Sequence, residues 1–172
     1  MQAGAEPVAP DAAAPDTRRL RAALGRFTTG VTIVTCTDVA GERVGLTVNS
    51  FSSLSLEPPL VLWSLRRESP SAAAFSAARH FAVNVLAESQ VGVSRRFAAR
   101  RADRFAEGEW SAGLHGLPVL AGTAAVFECE SVSAQDAGDH LLFIGRVLAC
   151  CDSPVAPLLF QAGHYRTIGH PL

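Results

Sequence analysis

Most of the motifs that announce a chemistry are missing from this chain. GxGxxG does not follow any apolar run, which excludes a Rossmann dinucleotide site. GxxxxGK followed by Ser or Thr is absent, which excludes a P-loop, and GxSxG is absent, which excludes a nucleophile elbow. The five histidines lack HExxH-type spacing and the four cysteines lack metal-site spacing, so no metal is expected. Charge is scarce as well: 18% of residues, 15 basic against 16 acidic, leaving no basic footprint for nucleic acid. No apolar run approaches the roughly 20 residues that span a membrane. Met1 to Pro15 has neither a basic start nor an apolar stretch, which argues against a signal peptide.

What is present is a folded domain. With 172 residues and 48% hydrophobic residues, one core of useful size is expected. Residues 1–16 are rich in Ala and Pro and predict a disordered tail, leaving 17–172 as the domain. Cys36, Cys129, Cys150 and Cys151 read as reduced, mostly buried thiols of a cytoplasmic protein.

Asp16 or Thr17 caps a helix whose apolar face is Leu20, Leu24 and Phe27, ending near Gly30. Strands are predicted at Val31 to Thr37, Arg43 to Val48, Leu60 to Leu65, His80 to Ala87, Ala124 to Ala134, His140 to Cys150 and Leu158 to Gln161. Ser69-Pro70 reads as the start of a short helix over Ser71 to Ala78, and Ser89 as the cap of a second through about Ala99. Arg100 to Gly116 reads as a charged loop anchored by Phe105 and Trp110, and Asp136 to Asp139 as a hairpin turn. About seven strands, mostly hairpin-linked, with few short helices, predict a β-barrel or sandwich.

The stretch with the most chemical content is Thr47 to Pro59, TVNSFSSLSLEPP. Hydroxyls and an amide donate and accept, so the row suits a ligand with a polar rim and a flat aromatic face. Ser, Thr and Asn are also the ordinary residues of turns. Against that plain reading, Phe51, Leu54 and Leu56 punctuate the stretch, and strands flank it.

GLTVNSFSSLSLEPPLVLWSL resembles the flavin-binding segment of the flavin reductase family, the reductase partners of two-component monooxygenases. The resemblance runs from about Leu20 to Ile168 through FTTGVTIVT (27–35), HFAVNVLA (80–87), RRFA and DRF (95–98, 103–105), DAGDH (136–140) and GHYR (163–166). It implies a mainly β Greek-key split β-barrel with an FMN-binding site, a homodimer, and reduction of FMN or FAD by NADH or NADPH. Reduced flavin then diffuses to a flavin-dependent monooxygenase.

By the same resemblance, Thr47, Val48, Asn49, Ser50 and Phe51 hold the isoalloxazine ring. Ser64, Leu65, Arg67, Ser69 and Ser71 reach the ribityl chain and phosphate, at a helix N-terminus that favours an anion. Phe97 and Ala98 add a second flavin contact. His140, the candidate catalytic residue, faces the nicotinamide, and Tyr165 and Arg166 complete the NAD(P)H pocket. Many relatives read TASSF where this chain reads TVNSF, which leaves FMN against FAD open. Hydride transfer needs no side-chain nucleophile, since the cofactor carries the chemistry and the protein positions it. The alternatives are a flavoprotein that keeps its flavin for electron transfer, sensing or a dedicated substrate, and a dimeric binding protein without activity.

Overall fold

Short runs of β-branched and aromatic residues fold as strands in the computed structural model, which describes residues 16–170. The tail expected over residues 1–16 lies outside the described residues except for Asp16. That residue accepts a hydrogen bond from the Arg18 amide (3.1 Å) and caps α1 (Thr17–Leu24). The helix stops at Gly25, a poor helix former, rather than near Gly30. Phe27 consequently falls outside it, and 77% of its surface is exposed.

The strands follow as β1 (Thr29–Gly30), β2 (Thr32–Thr37), β3 (Arg43–Val48), β4 (Ser52–Leu56) and β5 (Pro59–Arg66). After α2 (Ala72–Ala77) come β6 (His80–Val85), α3 (Val91–Ala98), β7 (Trp110–Ala112) and β8 (Pro118–Leu120). The long hairpin β9 (Ala125–Ala137) and β10 (His140–Asp152) is followed by β11 (Leu159–Gln161) and β12 (His164–Arg166).

The main sheet has seven strands in the order β3-β2-β6-β9-β10-β5-β4, every pair antiparallel. β5 lies beside β10, although the chain leaves β5 for β6 and returns through β9, which is a Greek-key order. The two edges, β3 and β4, are consecutive in sequence. Laid flat, six strand spacings would put them about 29 Å apart. From Val48 to Ser52 the chain reaches at most about 14 Å. The sheet must therefore curl until its edges nearly meet, giving an open-seamed β-barrel with residues 49–51 crossing the seam.

Trp63 of β5 is fully buried inside the curl. It stacks on its cross-strand partner Phe143 (4.4 Å, 11°) and meets Phe75 of α2 edge-on at 4.9 Å. Burying an indole of this kind contributes about 4–6 kcal/mol before entropy is counted. Outside the curl, Ile33, Val93, Phe97, Leu120 and Leu158 form a second core that fixes α3 to the sheet. Gly45 makes that contact possible, because a Cβ there would lie 2.8 Å from Phe97 Cε1. Buried Asn84 is fully used: its amide donates to the Ile33 carbonyl (3.1 Å) and its oxygen accepts from the Leu120 amide (2.9 Å).

Three expectations are corrected. The hydroxyl-rich stretch is not one loop, because Ser52 to Leu56 pairs with β5 as an edge strand. Ser89 is not the cap of α3; it lies within a single 3₁₀ turn, Glu88–Gln90, that precedes the helix. The region 100–116 is not wholly loop, since Trp110 to Ala112 pairs with Pro118 to Leu120. Of the cysteines, Cys36 and Cys129 are buried, but Cys150 and Cys151 are exposed.

Candidate active site

The seam opens into a cleft of about 520 Å³. Leu46, Thr47, Val48, Asn49 and Ser50 form one wall, and Ser64 to Arg66 with Glu68 to Ser71 form the opposite one. Phe97, Ala98, Arg100, Arg104 and His140 close the ends. As an edge strand, β3 pairs only with β2, so apart from the Gly45 carbonyl, which Arg104 occupies, alternate backbone N–H and C=O groups on its outer side are open to a ligand.

Two hydroxyls of the hydroxyl-rich stretch, those of Thr47 and Ser50, hold the walls together. Ser50 Oγ accepts from the Ser64 amide and donates to the Ser64 carbonyl, both at 2.9 Å. Thr47 Oγ1 donates to the Ser94 carbonyl at 2.7 Å. Ser94 is completely buried, and its own hydroxyl lies 2.9 Å from Tyr165 Oη. One chain of contacts thus runs from β12 through α3 to the cleft wall. The Asn49 side chain is exposed at the cleft.

Two cations mark the end near Ser69 and Ser71. Arg104 is locked by three hydrogen bonds, two to the Ala99 carbonyl (3.2 and 2.9 Å) and one to the Gly45 carbonyl (2.9 Å). Arg100 beside it is exposed. Ser69 Oγ accepts from the Ser71 amide at 3.3 Å, shaping the turn before α2.

His140 opens β10 directly across from Arg66. Its Nδ1 lies 2.7 Å from Asp139 Oδ1. Asp139 has its carboxyl held below the usual carboxylate range, first by this hydrogen bond. An ionised carboxylate only accepts, so His140 Nδ1 is the donor and Nε2 is left free.

Of the residues predicted from sequence, Thr47, Val48, Asn49, Ser50, Ser64, Leu65, Ser69, Ser71, Phe97, Ala98 and His140 line the cleft. Four do not. Phe51 turns toward the core and packs on Phe127 at 5.5 Å. Arg67 reaches the β9–β10 turn instead, donating to the Gly138 carbonyl and pairing with Asp136, both at 3.0 Å. Tyr165 sits behind the wall on Ser94, and Arg166 is exposed on β12. Beyond the residues named from sequence, Arg66, Glu68, Arg100 and Arg104 also line the cleft, and Ser94 lies behind its wall. Arg66 and Arg67 are adjacent, and only strand register separates them. Arg104 lies within DRF, a motif already singled out, and that was the available signal for it.

The donor set fits a flavin. A flat ring with a hydrogen-bonding edge would meet the open edge of β3 and Asn49, and an anionic tail would meet Arg100, Arg104 and the Ser69 turn. Among the described residues no group of His, Cys, Asp or Glu is arranged to hold a metal ion.

Comparison with known proteins agrees. The family model described as "Flavin reductase like domain" matches residues 24–169. The chain is 47% identical over 150 residues to FMN reductase (NADH) SmoA of Agrobacterium fabrum, covering 87% of this chain and 85% of that protein. It is 44% identical over 158 residues to the flavin-dependent monooxygenase reductase subunit HsaB of Rhodococcus jostii, covering 91% and 80%. It superposes with a TM-score of 0.85 on the Streptomyces globisporus NADH:FAD oxidoreductase SgcE6 in complex with NAD and FAD fragments. That match has 36% identity and covers 96% of this chain and 98% of that one. Some other relatives are longer, and this chain spans about half their length. With a family model matched over most of its length and relatives of this similarity, the chain belongs to the flavin reductase like domain family.

Proposed function

We propose that this protein is an NAD(P)H-dependent flavin reductase. It binds FMN or FAD in the seam cleft, admits NADH or NADPH beside it, and releases reduced flavin to a partner monooxygenase. The observation that carries this reading is the cleft itself. It joins an open strand edge, three arginines and His140 within one space. The bound flavin supplies hydride acceptance from the nicotinamide. The chain's part is to bind, orient and exclude water. The β3 edge with Asn49 grips the ring, and Arg100, Arg104 and Ser69 take the phosphate. Asp139 keeps His140 turned with Nε2 toward the nucleotide side. Tyr165 acts through Ser94 on Thr47, and Arg67 steadies the β9–β10 turn.

The reading extends to a homodimer in the cytoplasm, with residues 17–172 as the working domain. Exposed Leu24, Phe27 and Leu56 offer apolar surface for a second copy, being 64%, 77% and 92% exposed. Free thiols on the surface at Cys150 and Cys151 suit a reducing compartment.

The test is NADH consumption with and without added FMN, then FAD. Turnover that rises and saturates with added flavin is expected. A folded protein that consumes neither NADH nor NADPH would overturn the proposal, and turnover indifferent to added flavin would reassign it to a tightly held prosthetic group.

A further inference from the structure

The cleft continues past the residues that take the flavin phosphate. Beyond Glu68, Pro70 and Ser71 it opens into a second cleft of about 670 Å³, and Arg100 and Arg104 line both. Four arginines face the second space, Arg43, Arg100, Arg101 and Arg104, against two acids, Asp38 and Glu68. Arg100, Arg101 and Arg104 come from one five-residue stretch, and the fold brings Arg43 of β3 to them. Among the described residues Arg100 is in no ion pair. The Arg43 guanidinium lies 4.8 Å over the Phe105 ring, so a flat cation backed by an aromatic forms part of the wall.

We infer that this second cleft holds the adenosine monophosphate half of FAD, and that the protein therefore binds FAD in preference to FMN. The inference rests on the reductase reading above. A mononucleotide ends at its single phosphate, which the Ser69 turn and Arg100 already accommodate. A dinucleotide continues through a second phosphate to adenosine, and the second cleft opens at that point. Its excess of positive charge matches the added phosphate. Its planar arginine offers a stacking face for a base, as guanidinium planes do for unpaired bases elsewhere. A mononucleotide would leave this space and its charge without a role.

The test is equilibrium titration of the full chain with FMN and with FAD, followed by quenching of flavin fluorescence. Arg43→Gln, Arg101→Gln and the double variant are compared with the unsubstituted protein. Both residues line only the second cleft. The unsubstituted chain is expected to bind FAD more tightly than FMN. The double variant is expected to lose roughly tenfold in FAD affinity at low salt, less at high salt, with FMN affinity within about twofold. Retained FMN binding also shows that the variant is folded. Equal loss for both flavins would overturn the inference, as would a raised Michaelis constant for NADH with both flavins unmoved. An unsubstituted chain that binds neither flavin is a distinguishable result, and it removes the reductase reading together with this one.

Discussion

Ser50 Oγ makes two hydrogen bonds with the backbone of Ser64, one accepted and one donated, each 2.9 Å long. The β4–β5 ladder reaches only as far as Ser52 opposite Leu62. Two residues further along, Ser64 would have no partner on that side, and one hydroxyl stands in for a missing strand. Ser50→Ala removes both bonds and is expected to cost about 1–3 kcal/mol of stability. The flavin dissociation constant should rise with it, whereas Ser50→Thr keeps the hydroxyl and most of both properties. A denaturant midpoint and a flavin titration on each variant check this.

His140 offers Nε2 because Asp139 holds Nδ1. His140→Ala is expected to raise the Michaelis constant for NAD(P)H about tenfold while leaving that for flavin nearly unchanged. Asp139→Asn should produce a smaller shift in the same direction, because the ring remains but its orientation is looser. Equal changes in both constants would remove His140 from the nucleotide side.

Gly145 of β10 lies against the buried Phe81 ring. A Cβ there would clash with Phe81 Cζ and lie 3.1 Å from Cys129 Cβ, and both neighbours are buried. Gly145→Ala is expected to destabilise the fold by about 1–3 kcal/mol. Thermal melting measures it, and a combined Gly145→Ala, Phe81→Leu variant should recover part of the loss.

Burial pushes the thiols of Cys36 and Cys129 up from 9.0 to about 12. A pKa raised by folding means stability that is intact below the unfolded thiol's pKa and declines as pH climbs toward the folded value. Stability is therefore expected to fall between about pH 9 and pH 12, and to fall less steeply in Cys36→Ala, Cys129→Ala protein, whatever its starting stability. At neutral pH these two thiols should resist alkylation until the chain is unfolded.

Much of the barrel was legible because β2, β5, β6, β9 and β10 alternate or run apolar over enough residues to declare a strand. β4 was not. SSLSL carries turn-forming serines, and four of its five residues stay exposed, so burial leaves no pattern along it. Most of the cleft wall could be named from TVNSF and the segment after β5, but the task of each side chain could not. Thr47 and Ser50 have hydroxyls that look available in sequence and are committed to backbone in the fold. Arg100 and Arg104 were hidden by abundance, since any of the chain's arginines has the same local signature. Tertiary position alone distinguishes them.

Residues 49–51 stitch the two free margins of the sheet together, and Asn49 and Ser50 also line the cleft. A molecule lodged there acts as a clasp on the whole barrel. A bound flavin would then stabilise the folded chain by mass action, the more so the further its free concentration exceeds its dissociation constant. Binding at the seam and stability of the barrel would therefore be linked, so that whatever strengthens one raises the other.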